Sequence, residues 1–215
     1  MSTKLLPADL EEISEATKQR LGSYRLRLML CAGTGCVSSK SFEVQKALEE
    51  ELARHHLQDE VAIIMTGCNG FCAKGPVMVV QPDDIFYQLL TAEDVPELVE
   101  EHFKGGRPVE RLMYREPGKT KPIPKMSDIQ FFKKQQLIAL RNRGLIDPRD
   151  IDGAIAHEGY FALDKALNSM TPEQIVSEVE QAGLRGKGGA GFSTGTKWKI
   201  TAEQPGDVKY VICNA

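Results

Sequence analysis

No run in the 215 residues approaches the roughly 18 consecutive apolar residues that suggest a membrane-spanning helix. The chain opens on acidic residues and lacks the basic stretch and apolar run of a secretory signal, so the cytoplasm is the expected location. An excess of one charge is missing too: 27 basic and 30 acidic residues leave a formal net charge of -3, which gives no overall pull toward nucleic acid. Cysteine is sparse and odd in number, at five, which speaks against a disulfide framework. What remains is an ordinary apolar content of 41%, enough for one large domain or two small ones.

The cysteines are not scattered. Four of them occupy Cys31-Ala-Gly-Thr-Gly-Cys36 and Cys68-Asn-Gly-Phe-Cys72, each preceded by a strand-like apolar run, at 24–30 and 61–65. A sheet can bring both pairs to one end. Four thiolates in one place repel unless a metal or cluster offsets their charge. Tetrahedral sulfur ligation suits zinc or iron-sulfur. Gaps of four and three residues lean toward a 2Fe-2S cluster and leave zinc open, with disulfides or plain buried thiols as further alternatives. Gly33, Gly35 and Gly70 between the cysteines allow backbone amides to approach bridging sulfides.

Around these loops the pattern is α/β. Residues 7–19 read as a polar helix, and Ser41 starts a helix with Leu48 and Leu52 one turn apart on a buried stripe. Strands follow at 61–65, 77–80 and 85–89, then a helix from Thr91, whose regular part Pro96 places at or after itself. His55 and His56 read as solvated residues near a helix end. Gly105-Gly106-Arg107-Pro108 and the prolines at 117, 122 and 124 mark 105–126 as an extended connector or wrapping arm. The expected division is therefore an N-terminal helical extension (1–23), a cysteine-bearing domain (24–104), a linker (105–126) and a third part (127–215). Charge follows it: residues 1–104 carry 10 basic and 17 acidic residues, residues 105–215 carry 17 and 13. The second part is the better place for an anionic ligand.

That part begins with an expected helix over 127–141, short helices at 150–156 and 160–168, and a capped start at Thr171-Pro172-Glu173-Gln174, whose helix ends at Gly183. From Gly183 to Trp198 glycine is dense. Backbone amides in such a loop can line a phosphate or ring system while Arg185, Lys187 and Lys197 add positive charge. Gly186-x-Gly188-x-x-Gly191 matches the dinucleotide fingerprint, yet a helix precedes it where that motif needs a strand, and no Gly-Lys-Ser/Thr follows for a P-loop. A structural turn is the plain alternative. Phe192 and Trp198 are candidate stacking residues, with packing under the loop the simpler role for each. Residues 208–213 read as a short strand whose end presents Asn214, and Cys213 as a buried thiol.

Residues 183–198 with Tyr210-Val-Ile-Cys-Asn214 resemble the start of the NADH-binding flavoprotein subunit of respiratory complex I, a module shared with NAD-linked hydrogenases and formate dehydrogenases. Residues 24–104 resemble the thioredoxin-like 2Fe-2S ferredoxin domain. The fusion looks most like the flavin-containing beta subunit of soluble iron-only hydrogenases. The resemblance implies a thioredoxin-like 2Fe-2S domain followed by the truncated start of an FMN/NADH-binding α/β domain, in an NADH:acceptor oxidoreductase that associates with other iron-sulfur redox subunits of a soluble complex. It makes Cys31, Cys36, Cys68 and Cys72 the ligands of one 2Fe-2S cluster. It places Gly186, Lys187, Gly188, Gly189, Gly191, Phe192, Gly195 and Lys197 in the loop shared by FMN and NAD(H), and Asn214 on the flavin; Ser193 stands where proline is common. A small 2Fe-2S electron-transfer or assembly subunit without flavin is the alternative.

Overall fold

A computed structural model describes residues 7–206, 208, 210 and 212 of the chain. It divides into two compact units, Met1–Gly159 and Tyr160–Ala215. The first contains α1 (Pro7–Gly22), β1 (Leu26–Cys31), α2 (Thr34–Ser38), α3 (Ser41–Arg54), β2 (Val61–Thr66), β3 (Met78–Gln81) and β4 (Ile85–Tyr87). The strands form one sheet in the order β2-β1-β3-β4. β1 runs parallel to β2, and α3 supplies the crossover that a parallel pair requires. β3 is antiparallel to both β1 and β4.

Alternation along β1 sorts its side chains between two cores. Leu26, Leu28 and Leu30 pack with Val44, Leu48 and Leu52 of α3, so the one-turn spacing of the last two does form a buried stripe. Met29 and Cys31 point the other way, toward Val79 and Phe86. After β4, Thr91 and Asp94 form a capping box, with the Thr91 N–H donating to Asp94 Oδ2 at 2.9 Å. A 3₁₀ turn (Ala92–Asp94) leads into α4 (Val95–Glu97) and a π-helical stretch (Leu98–Lys104). Pro96 lies inside the first turn of α4, where its missing N–H is tolerated; the regular helix therefore begins one residue before it.

Residues 105–126 wrap the sheet. The Phe86 N–H donates to Pro124 O at 2.7 Å and the Gln88 N–H to Leu112 O at 3.0 Å. Pro122 and Pro124 are tolerated because they lie at a sheet edge, which this arm covers. Val109, Leu112, Met113 and Tyr114 are buried along it.

The helix expected over 127–141 is cut short. Only a 3₁₀ turn (Met126–Asp128) and α5 (Gln130–Lys133) form. Ile129 and Phe132 turn onto the sheet, but Leu137, Ile138 and Leu140 are exposed, so no buried stripe stabilises a longer helix. Further on, α6 (Ile151–Ala156) packs against α1, its first turn capped by Asp150, which accepts from the Asp152 N–H at 3.1 Å.

The second unit holds α7 (Phe161–Ser169), α8 (Pro172–Gln181) and α9 (Thr194–Ala202). The capping box at Thr171 forms: the Gln174 N–H donates to Thr171 Oγ1 at 3.3 Å and Gln174 Oε1 accepts from the Thr171 N–H at 2.8 Å. α9 was not evident from sequence; Ser193 caps it, accepting from the Thr196 N–H at 3.2 Å. Of the strand expected at 208–213, Val208, Tyr210 and Ile212 are exposed and belong to no strand. Its other positions, Cys213 among them, and Asn214 lie outside the described residues.

Candidate functional site

Cys31 is the last residue of β1 and Cys36 sits in α2, one turn into the loop that follows. Cys68 follows β2, and Cys72 opens a 3₁₀ turn (Cys72–Lys74). Since β1 and β2 are parallel neighbours, their ends deliver both loops to the same edge of the sheet. The first pair is buried and the second exposed; all four thiols are free.

Glycines let the loops interlock. A Cβ on Gly33 would stand 2.6 Å from Cys68 Cβ, one on Gly35 would stand 3.0 Å from Cys72 Cβ, and one on Gly75 would stand 2.7 Å from Cys36 Sγ. Phe71, between Cys68 and Cys72, stacks on Phe131 at 5.0 Å and meets Tyr114 and Phe132 edge-on, each at 5.3 Å, which ties the second loop to the aromatic core.

Hydrogen bonds and charge link the four sulfurs. Cys68 Sγ lies 3.9 Å from Cys72 Sγ and accepts from the Gly70 N–H at 3.3 Å. The Cys36 thiol and the backbone N–H groups of Asn69 and Gly33 stabilise a Cys31 thiolate, lowering its pKa to about 6 against the opposing effect of burial. Cys36 is pushed up, first by that same hydrogen bond to Cys31 and then by burial. Cys72 is raised by its contact with Cys68 and by the charges of Cys68 and Cys31. Among the described residues no three His, Cys, Asp or Glu are arranged to hold one metal ion. Cys31 interacts with both Cys36 and Cys68, and Cys68 contacts Cys72, so the four thiols form one connected group. These four cysteines would hold a 2Fe-2S cluster, which takes four thiolate ligands.

Two further features fit a sulfur-bridged group there. The glycines that admit the opposing cysteines leave no side chain between the loops. Asn69, next to Cys68 and 1% exposed, has no partner for either Nδ2 or Oδ1. Buried amides are rarely left unpaired. Sequence reasoning passed over Asn69.

A chain with this sheet and these paired cysteines can be set beside known proteins. A family model described as thioredoxin-like [2Fe-2S] ferredoxin matches residues 14–102. The chain is 43% identical over 77 residues to a 2Fe-2S ferredoxin of Clostridium pasteurianum, covering 36% of this chain and 76% of that protein. The chain belongs to the thioredoxin-like 2Fe-2S ferredoxin family. A second model, the Nuo51 FMN-binding domain, matches residues 179–215. Two longer relatives are similar in part: the NADP-reducing hydrogenase subunit HndC of Solidesulfovibrio fructosivorans is 54% identical over 83 residues, 39% of this chain and 17% of that protein. An Aquifex aeolicus subunit of NADH-quinone oxidoreductase is 54% identical over 65 residues, 30% of this chain and 15% of that one. This ferredoxin-family chain spans 17% and 15% of the length of those two relatives.

In the segment matched by the second model, the glycine-rich loop closes on itself. The Gly186 N–H donates to Phe192 O and the Thr194 N–H to Leu184 O, both at 2.9 Å. Between these rungs the backbone N–H groups from Lys187 to Gly191 bond to no other described residue. Gly189 at φ 107° and Gly191 at φ 62° take a conformation that a side chain would strain. The loop feeds directly into the N-terminus of α9, where the helix dipole favours an anion. Arg185, Lys187 and Lys197 are exposed around it. Phe192 and Trp198, for which packing beneath the loop was the simpler expectation, are instead 51% and 38% exposed. Gly195 is buried against Glu180 of α8 and belongs to the scaffold of the loop. Among the described residues no helix is long and apolar enough to cross a membrane.

Proposed function

We propose that the chain is an electron-transfer part of an NADH:acceptor oxidoreductase, passing electrons between NAD(H), FMN and iron-sulfur centres. Residues 24–104 form its cluster domain, 105–126 the connecting arm, and 127–215 a helical segment followed by the start of an FMN/NADH-binding domain. Cys31, Cys36, Cys68 and Cys72 hold one 2Fe-2S cluster, which supplies a one-electron carrier when bound. The observation that carries this is the interlocking of two cysteine loops at one sheet edge, buried on the Cys31 side and exposed on the Cys68 side. An exposed thiol pair leaves a short path for electrons to a docked protein.

Gly186, Lys187, Gly188, Gly189, Gly191 and Phe192 form the loop proposed to face the flavin and nucleotide, with Gly195 supporting it and Asn214 added from sequence. FMN, when bound, splits a hydride pair into single electrons. Arg185, Lys187 and Lys197 offset phosphate charge, while the loop amides orient it. The names of the hydrogenase and quinone oxidoreductase relatives, each a subunit, support a multi-subunit setting; other iron-sulfur redox subunits as partners and the cytoplasm as location are the proposal.

Anaerobic purification with iron and sulfide analysis tests the cluster. Two irons and two acid-labile sulfides per chain, with one EPR signal after one-electron reduction, are expected. Zinc without sulfide would overturn it. For the flavin, NADH added to the native complex should bleach the flavin spectrum; a complex that contains the 2Fe-2S signal but no flavin would leave a small electron-transfer subunit as the function.

A further inference from the structure

Asn69 has no role in the proposal above, yet its surroundings are unusual. It is 1% exposed, and neither atom of its amide has a partner. An amide so placed loses its hydrogen bonds to water and gains none from the protein, a loss large enough that buried polar groups nearly always find a partner. Its position narrows the choice. Asn69 directly follows Cys68, its backbone N–H is near enough to Cys31 to favour that thiolate, and a Cβ on Gly144 would run into its Oδ1. Both amide atoms are therefore unpaired, and Nδ2, the amide's only donor, is the one that can meet a sulfur acceptor. Asn69 therefore contacts both cysteine loops, and no other described side chain satisfies its amide.

We propose that Asn69 is a positioning residue for the cluster: its Nδ2 donates a hydrogen bond to a sulfur of the 2Fe-2S centre and raises its reduction potential. The inference rests on the cluster assignment above. Its physical basis is charge. Reduction would make the centre more negative by one charge, and a fixed N–H donor to its sulfur would stabilise that form more than the oxidised one. Hydrogen bonds to cluster sulfurs are among the main settings of potential, and partners behind the ligands also fix ligand orientation.

The test is an EPR-monitored redox titration of the purified iron-loaded chain. It compares the natural chain with Asn69→Leu, which keeps the approximate volume, Asn69→Ala, which makes no demand on space, and Asn69→Ser, which keeps a donor. Iron and sulfide analysis accompanies each. Leu and Ala should lower the equilibrium constant for reduction by about tenfold, or about 59 mV for one electron, with Ser between them and the natural chain. Exchange into deuterium oxide should remove one coupled proton from the electron-nuclear spectrum of the natural chain that is missing in Leu and Ala. If Leu does not fold, Ala carries the measurement. Variants that hold two irons and titrate at the natural potential would overturn the role of Asn69, because a packing residue or a buried water at this site would leave the potential unmoved. Absence of iron and sulfide in the natural chain would instead overturn the cluster assignment itself.

Discussion

Gly33 and Cys68 belong to different loops, yet a Cβ on Gly33 would stand 2.6 Å from Cys68 Cβ. The two thiol pairs can share one cluster only because this position lacks a side chain. Gly33→Ala must push the loops apart, at a cost of about 1–3 kcal/mol in strain. The sheet and its α3 core lie away from the contact and should persist. The expected result is a chain with natural circular dichroism whose iron content falls by more than half. An alanine variant that keeps full iron and sulfide would show that the loops are not so closely set.

Tyr87 and His102 set a pH limit on the first unit. The fully buried Tyr87 hydroxyl shares a hydrogen bond with His102 Nδ1 at 2.8 Å and accepts from the Val109 N–H at 3.0 Å. His102 is 4% exposed, and burial holds its pKa below the ordinary value of 6.5, against a smaller upward pull from Asp83; Arg25 adds to the lowering. The unfolded state then binds a proton that the native state refuses. Stability from the neutral histidine is complete above the ordinary value and is lost as pH falls from there toward the depressed one. Urea midpoints measured from pH 8 to 5 should drop below about pH 6.5, and His102→Gln should flatten that drop. Tyr87→Phe leaves both partners unpaired and should cost about 2–4 kcal/mol at pH 8.

Much of this was legible in the sequence, and the exceptions have physical causes. The Leu48–Leu52 stripe and the capping box at Thr171 are local signals, and each formed as read. The arm at 105–126 was harder, because its buried residues Val109, Leu112, Met113 and Tyr114 follow neither a helical nor a strand period; what orders them is the edge of β4. The helix expected at 127–141 failed because aromatic packing of Phe131 and Phe132 onto Phe71 competes with a regular stripe. α9 escaped notice since threonine and glycine at its start are weak helix formers, and Ser193 reads as one more loop residue until its cap is seen. At the site, cysteine spacing was plain, while Asn69 gave no signal because burial is a property of the folded loops.

Gly195 joins the second unit's helices. A Cβ there would lie 2.5 Å from the Cα and N of Glu180, so α8 and α9 approach through this glycine. The glycine-rich loop spans the same two helices, and its width depends on their separation. Gly195→Ala should lower the stability of this unit by about 1–3 kcal/mol and weaken FMN retention in the native complex, leaving the iron content unchanged. Flavin and iron measured on the same sample decide it: equal loss of both would mean that the substitution acts on the whole protein and not on this unit.

The last expectation concerns which cysteines matter. Cys68 contacts Cys72 at 3.9 Å and accepts from the Gly70 N–H, so its sulfur helps fix the second loop as well as serving as a proposed ligand. Cys213 is distant in sequence and alone among cysteines in residues 105–215. Because metal binding and folding are linked through the ligands, Cys68→Ser should reduce cluster retention severalfold and lower the melting temperature of the iron-loaded chain. Serine offers an oxygen in the same place, so some cluster can persist with a shifted EPR signal. Cys213→Ser should leave iron, sulfide and the signal as they were. Loss of the signal in the Cys213 variant alone would mean that a different set of four cysteines binds the iron, since five thiols compete for four positions.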